Sequence, residues 1–269
     1  MAEARHRRCG AALAAAVALL PLIAPAQPAA EPARPPTRPE AEAAAGAVTQ
    51  PATQGALIPP KEMARRRAAT TPPGPPAHSL LRESDFAFAA CRLSLTLMGT
   101  DYATAPPVSD AADRDCGIDR PLRIGAILPG VTLPGAPLMR CATAQRLAMW
   151  MRDFVQPAAS RLPGAPRVAG LEPGSTYDCR PRIGGESEQL SEHALGNAFD
   201  IMAFVMEDGR RIMVEPEPAD SADAAFLTAV RGAACMDFAT VLGPGSDAAH
   251  DDHLHLDIRR RESGHRLCQ

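Results

Sequence analysis

The sequence predicts an α+β domain, with helices packed on a small, mainly antiparallel sheet. Three observations carry this. Arg140 to Leu162 places Ala144, Leu147, Ala148, Met151 and Val155 at mixed three- and four-residue spacing, the mark of an amphipathic helix. Asn197 to Glu215 has two apolar runs around Asp208-Gly209, a dipeptide that suits the positive φ of a tight hairpin turn. His253 to Ile258, "HLHLDI", alternates polar and apolar residues up to Asp257, as a strand with one buried face does.

The remaining elements follow in order. Ser84 to Met98 reads as a helix with Ser84 or Asp85 as its N-cap. Arg123 to Leu133 is β-like and is interrupted by Pro129-Gly130. Trp150, inside the Arg140–Leu162 helix, is expected in the core. Arg167 to Glu172 is a short strand, and Ser221 to Phe238 is a further helix.

These elements occupy residues 81–269, long enough for one domain with a sizeable core. Before them lie two segments of different character. Residues 1–26 have a basic start at Arg5, Arg7 and Arg8, an apolar run from Ala11 to Ile23, and a small-x-small end at Ala24-Pro25-Ala26. That is the layout of a secretory signal peptide. A membrane anchor is the competing reading, but the run falls short of the roughly 18–20 residues a span requires. Residues 27–80 are rich in Pro and Ala, which offer few donors and no core. They read as an exposed, partly extended tether. No second run is long enough to span a membrane. The net charge of −3, without a basic stripe interleaved with aromatics, gives no case for a nucleic-acid partner.

With Cys9 set aside, Cys91, Cys116, Cys141, Cys179, Cys235 and Cys268 remain. An even set in an exported chain reads as up to three disulfides, and their connectivity stays open. No pair has C-x-x-C spacing, which weakens a metal reading for them. Bonding Cys268 would pin the C-terminus, and bonding Cys179 would stiffen the loop carrying Arg180.

Two stretches carry the chemistry. "LSEHALGNAFDI", Leu190 to Ile201, holds His193 and Asp200 with Gly196 between them. On a continuous helix these residues would stand about 10 Å apart along the axis, so the glycine suggests a bend that folds the ring back toward the carboxylate. Asp200 lies in an apolar, strand-like run, where a carboxylate costs free energy unless it is paired or bound. In "HLHLD", alternation puts His253, His255 and Asp257 on one face. Two imidazole nitrogens and one carboxylate oxygen would give zinc three protein ligands and leave a position for water, the catalytic rather than the structural arrangement. One histidine of the pair is then free to move a proton.

The pattern S-x-H-x-x-G-x-A-x-D (Ser191, His193, Gly196, Ala198, Asp200) followed by H-x-H (His253, His255) resembles zinc peptidases that cut peptidoglycan crosslinks. These are the D-Ala-D-Ala carboxypeptidases, the murein endopeptidases and the lysostaphin-like enzymes. "YDCR" (Tyr177 to Arg180) resembles the "GYR" element of the carboxypeptidase branch. More closely, the stretch from Cys91 to Cys268 is similar to the bacterial extensin-like C-terminal domain family.

The resemblance implies a D-Ala-D-Ala carboxypeptidase-like zinc site on the sheet. His193, Asp200 and His255 would hold Zn2+, His253 would be the general base or transition-state stabiliser, and Arg180 would hold a substrate carboxylate or the developing oxyanion. The sequence departs from the carboxypeptidase branch in "AHDDHLHLD", which has no glutamate base. Asp257 is either an orienting group for a ligand ring or an ordinary strand-end carboxylate. His250, Asp251 and Asp252 read as loop residues, and His265 as a tail residue.

Two functions are therefore expected. One is an exported, periplasmic or envelope-associated zinc hydrolase acting on peptidoglycan peptides. The other is a non-catalytic module binding a cell-envelope polymer and retaining a metal site. A purely structural zinc site would need four closed ligands, and three are found. The domain is expected to act as a monomer, without a membrane span after signal cleavage.

Overall fold

The computed structural model describes residues 74–183 and 189–269. The segments read from sequence as a signal peptide and a tether lie, up to residue 73, outside the described residues. Ala77–Leu80, placed in the tether by composition, form a helical turn, α1. It is tied to the domain, with His78 Nδ1 2.6 Å from Asp119 Oδ1 and the Ala77 N–H donating to Asp115 Oδ1.

Helix α2 spans Asp85–Met98, and its N-cap Ser84 accepts a hydrogen bond from the Ala87 N–H. Gly99 closes it in the left-handed conformation that only glycine adopts cheaply. Helix α3 (Cys141–Trp150) runs through a wide π turn (Met151–Val155) into α4 (Gln156–Ala159). The expected single helix is thus locally widened. The widening precedes Pro157, which has no N–H to continue an ordinary ladder. Helix α5 spans Ala222–Ala234 and is capped by Ser221.

Twelve strands follow the chain among the described residues: β1 (Asp101–Thr104), β2 (Val108–Ser109), β3 (Gly117–Ile118), β4 (Pro121–Leu128), β5 (Val131–Thr132), β6 (Leu138–Arg140), β7 (Val168–Pro173), β8 (Ala198–Met206), β9 (Arg211–Met213), β10 (Thr240–Leu242), β11 (Leu254–Asp257) and β12 (Leu267–Cys268). Ten form one sheet in the order β1-β4-β5-β7-β8-β11-β10-β12, with β6 beside β4 and β9 beside β8. The α+β class is as expected. The sheet is mainly antiparallel, as expected, with two short parallel pairings, β5/β7 and β10/β12, but it is large rather than small. The hairpin around Asp208-Gly209 forms between β8 and β9, with Gly209 at φ 84°.

Both faces of β8 are largely buried, so it reads as a nearly continuous apolar run in which one carboxylate stands out. The core gathers where α3 and α5 cover the sheet. Trp150 is fully buried against Phe204 and Phe238, and its indole N–H donates to the Val230 carbonyl at 3.0 Å. A buried ring with its one polar group satisfied contributes its full apolar area without a desolvation cost.

The six cysteines pair as Cys91–Cys141, Cys116–Cys179 and Cys235–Cys268. The first joins α2 to α3, the second ties the Arg180 loop to the chain just before β3, and the third fastens β12 to the end of α5. Three disulfides suit an oxidising, exported setting. Among the described residues no helix is long and apolar enough to cross a membrane.

Candidate metal centre

Three elements bring the site together. Ser191 begins a 3-10 turn over Glu192–Leu195, its side chain accepting from the His193 N–H. Gly196 ends the turn at φ 65°, and β8 starts two residues later. A Cβ at Gly196 would lie 2.4 Å from Ile118 Cδ1, so both the backbone angle and the close approach to β3 demand glycine. The bend expected at Gly196 is present, and it folds the histidine back over the strand.

Asp200 lies on β8 directly opposite His255 on β11 in the antiparallel register. Side chains opposite each other on neighbouring strands share a face, so the register alone brings carboxylate and imidazole together. His253 precedes β11 and shares that face, as alternation predicted.

The resulting group is tight. His193 Nε2 is 3.2 Å from His255 Nδ1 and 3.2 Å from Asp200 Oδ1, and His255 Nδ1 is 2.9 Å from Asp200 Oδ1. All three residues are buried. Among the described residues this is the one group of three His, Cys, Asp or Glu residues close enough to share an ion. Each histidine is oriented from behind. His193 Nδ1 donates to the Thr176 carbonyl at 2.7 Å, and His255 Nε2 faces Asp257 Oδ2 at 3.3 Å. Both rings therefore turn their other nitrogen toward Asp200, the arrangement by which proteins fix a metal-binding tautomer. Asp257, for which the sequence left two readings, is the carboxylate that faces His255.

The electrostatics fit the packing. Burial opposes ionisation of Asp200, but hydrogen bonds from His193 and His255 outweigh it and hold the carboxyl well below the usual range. Burial likewise opposes the charge on His255, yet Asp200 and Asp257 on either side push its pKa up to about 9. Burial raises Glu192, the neighbour of His193, which takes a hydrogen bond from Asn197 Nδ2 at 2.8 Å. Asn197 Oδ1 in turn accepts from Arg140, which also reaches Glu83.

The open side is a cavity of about 260 Å³, with Arg180, His193, Asp200, His250, His253 and His255 in its lining. His253 Nε2 is 3.6 Å from Asp200 Oδ2, and its Nδ1 is 2.8 Å from Asp252 Oδ1. Arg180 reaches the same cavity but pairs with Asp178 at 2.8 Å. The structure thus brings all five sequence-predicted site residues to one place.

It also adds residues that the sequence reading had set aside. His250, read as a loop residue, sits with its ring 5.2 Å from that of His253 and lines the cavity, its Nδ1 2.7 Å from Asp247. Asp252 is the His253 partner. Thr176 contributes only a backbone oxygen, which no side-chain pattern can announce. A larger groove of about 810 Å³ beside α5 contains no histidine and is mainly apolar around Val214, Leu227 and Val230. The histidine group therefore faces the smaller cavity.

No curated protein and no solved structure matches the chain. Residues 89–269 match a family described as Extensin-like protein C-terminus, and this span includes every residue of the buried His/Asp/His group. The chain belongs to the extensin-like protein C-terminus family.

Proposed function

We propose that the domain is an exported zinc-dependent hydrolase acting on peptide bonds of cell-wall peptidoglycan, with a D-Ala-D-Ala carboxypeptidase-like site. The observation that carries the metal reading is the orientation of two buried histidines from behind, toward a buried carboxylate. Donors about 2.0–2.2 Å from a tetrahedral zinc stand roughly 3.3–3.6 Å apart. The three donor atoms here are 2.9 to 3.2 Å apart. His193, Asp200 and His255 would hold the ion. A zinc ion bound there supplies a water of pKa near about 7 and polarises a carbonyl.

The remaining groups divide the work. His253 lines the cavity while Asp252 holds its Nδ1, so its Nε2 is the nitrogen placed to accept a proton from an attacking water. Arg180 lies within reach of the charge that develops on a scissile carbonyl, and the Cys116–Cys179 bond stiffens the loop beneath it. Three protein donors rather than four favour catalysis over a purely structural ion.

The test pairs metal content with turnover. Purified wild type should carry close to one zinc and release products from crosslinked muropeptides. His253→Ala should keep its zinc and lose about 10²–10⁴-fold in turnover. A wild type that holds zinc and leaves every muropeptide intact would support the alternative, a binding module of the cell envelope.

Metal uptake should also be linked to protons. The ion-free His255 keeps its second proton up to about pH 9, and a metal must displace it from Nδ1. This residue should therefore release close to one proton at pH 7. Its share of the affinity should fall about ten-fold per pH unit below pH 9, with no such slope above it. Calorimetry in buffers of different ionisation enthalpy reads this directly. A buffer-independent heat would contradict the ligand role of His255.

A further inference from the structure

Beside the histidine group, the same cavity has a wall of arginine. Arg182, Arg259 and Arg261 all line it. They come from two distant parts of the chain, the strand-like segment entering the 3-10 turn and the segment leaving β11. Each is positioned by neutral or backbone bonds, Arg259 through its main chain and Arg182 and Arg261 through guanidinium nitrogens. Arg182 Nε donates to the Leu190 carbonyl at 3.1 Å, the Arg259 N–H donates to Asp257 Oδ1 at 2.9 Å, and Arg261 donates to the Ala239 carbonyl and to Thr240 Oγ1, both at 2.8 Å.

The carboxylates nearby do not complete these guanidiniums. Arg182 and Arg259 converge on one oxygen of Glu192, at 3.4 Å and 3.8 Å. A formed guanidinium–carboxylate hydrogen bond is about 2.7–2.9 Å and is often two-pronged. The other Glu192 oxygen is occupied by Asn197. Asp257 faces His255. Burial, and then the charge of Arg259, hold Arg182 below its ordinary range, with Arg261 acting in the same direction. Among the described residues, Arg182 and Arg259 share one distant carboxylate oxygen and Arg261 meets only neutral acceptors; like charges so gathered are costly, and the cost falls when an anion enters. The cationic wall also continues away from the histidines. A neighbouring cavity shares Arg259 and Arg261 and adds Arg146, Arg260 and Arg266.

We propose that Arg182, Arg259 and Arg261 form a carboxylate-binding subsite that seats an acidic group of the wall peptide beside the His193–Asp200–His255 group. The subsite takes its ligand class from the wall-peptide reading, but it does not depend on catalysis. It is distinct from Arg180, whose Nε donates to Asp178 Oδ2 and which is assigned above to the reacting carbonyl. Its geometry selects a peptide that carries a free carboxylate near the bond presented to the histidines. Amidation of that carboxylate removes both the charge and one acceptor, leaving the guanidiniums as they are in the empty cleft.

The experiment measures binding of two short wall peptides that differ only in amidation of their side-chain and α-carboxylates, by calorimetry on the disulfide-bonded protein. Wild type should bind the acid form at least about ten-fold more tightly. The preference should shrink as salt rises. Arg259→Gln and Arg182→Gln should each reduce it several-fold, and the double variant should abolish it. Arg123→Gln, on β4 and several strands away in the sheet, should leave it unchanged. Zinc content should be the same in all variants, which separates this subsite from the metal centre.

Equal binding of both peptides, an undiminished preference in the double variant, or no binding of either form would overturn the proposal. If the acid form binds preferentially but is never cleaved, the subsite stands and the hydrolase reading fails.

Discussion

Asp200→Ala should abolish stable zinc binding, lowering affinity by two or more orders of magnitude. Asp200 is the common member of the group. Its Oδ1 faces both His193 and His255, and its Oδ2 faces His253. Without it, two imidazoles remain close together in a buried space, with one acceptor lost. The ion-free protein should also suffer. Removing one partner from a buried charged pair costs about 3–5 kcal/mol, because the other is left uncompensated. Zinc retained after dialysis, together with thermal unfolding with and without chelator, checks both halves. An Asp200→Ala protein that keeps zinc at wild-type stoichiometry would refute the ligand set.

The second large effect concerns the bond between Cys116 and Cys179. It closes a loop with a sequence separation of 63 residues. The chain-entropy estimate for such a crosslink is about 4 kcal/mol. Replacing both cysteines by serine should lower the denaturation midpoint accordingly. The effect should extend beyond stability, since the residues just before Cys179 include Thr176, whose carbonyl fixes the His193 ring. Zinc affinity should therefore fall by about ten-fold even under conditions where the variant is fully folded. Unchanged affinity would mean that the loop is held by its backbone bonds alone. They include the Asp200 N–H to the Ser175 carbonyl, the Asp178 N–H to the His193 carbonyl and the Ser191 N–H to the Arg180 carbonyl.

Much of this was legible in the sequence where periodicity or turn chemistry is strong. The long helices, the Asp208-Gly209 hairpin and the alternating strand after Asp252 all follow local rules, and so does the glycine bend after the 3-10 turn. The short strands β2, β3, β10 and β12 are two or three residues long. So few residues show no period, and tertiary pairing alone makes them strands. The size of the sheet was lost with them.

The buried His/Asp/His group was legible because its members sit in two short, unusual stretches. The polar residues around it were not. Arg140 meets Asn197 across 57 positions, and Arg182 and Arg259 come to share one oxygen of Glu192 only in the folded chain. A reading along the chain records such residues as ordinary surface charge. His250 shows the same limit, since nothing local separates an aspartate-held loop histidine from one that lines a reactive cavity.

The single tryptophan of the chain has a practical consequence. Trp150 is fully buried, ringed by phenylalanines and hydrogen-bonded to the carbonyl of Val230 on α5. Its fluorescence is therefore an intrinsic optical probe of one place, the contact between α3, α5 and the centre of the sheet. A blue-shifted emission marks molecules whose interior is intact, whatever the state of their histidines. Loss of metal or of a loop crosslink can then be told apart from loss of the fold by light alone, with no label added.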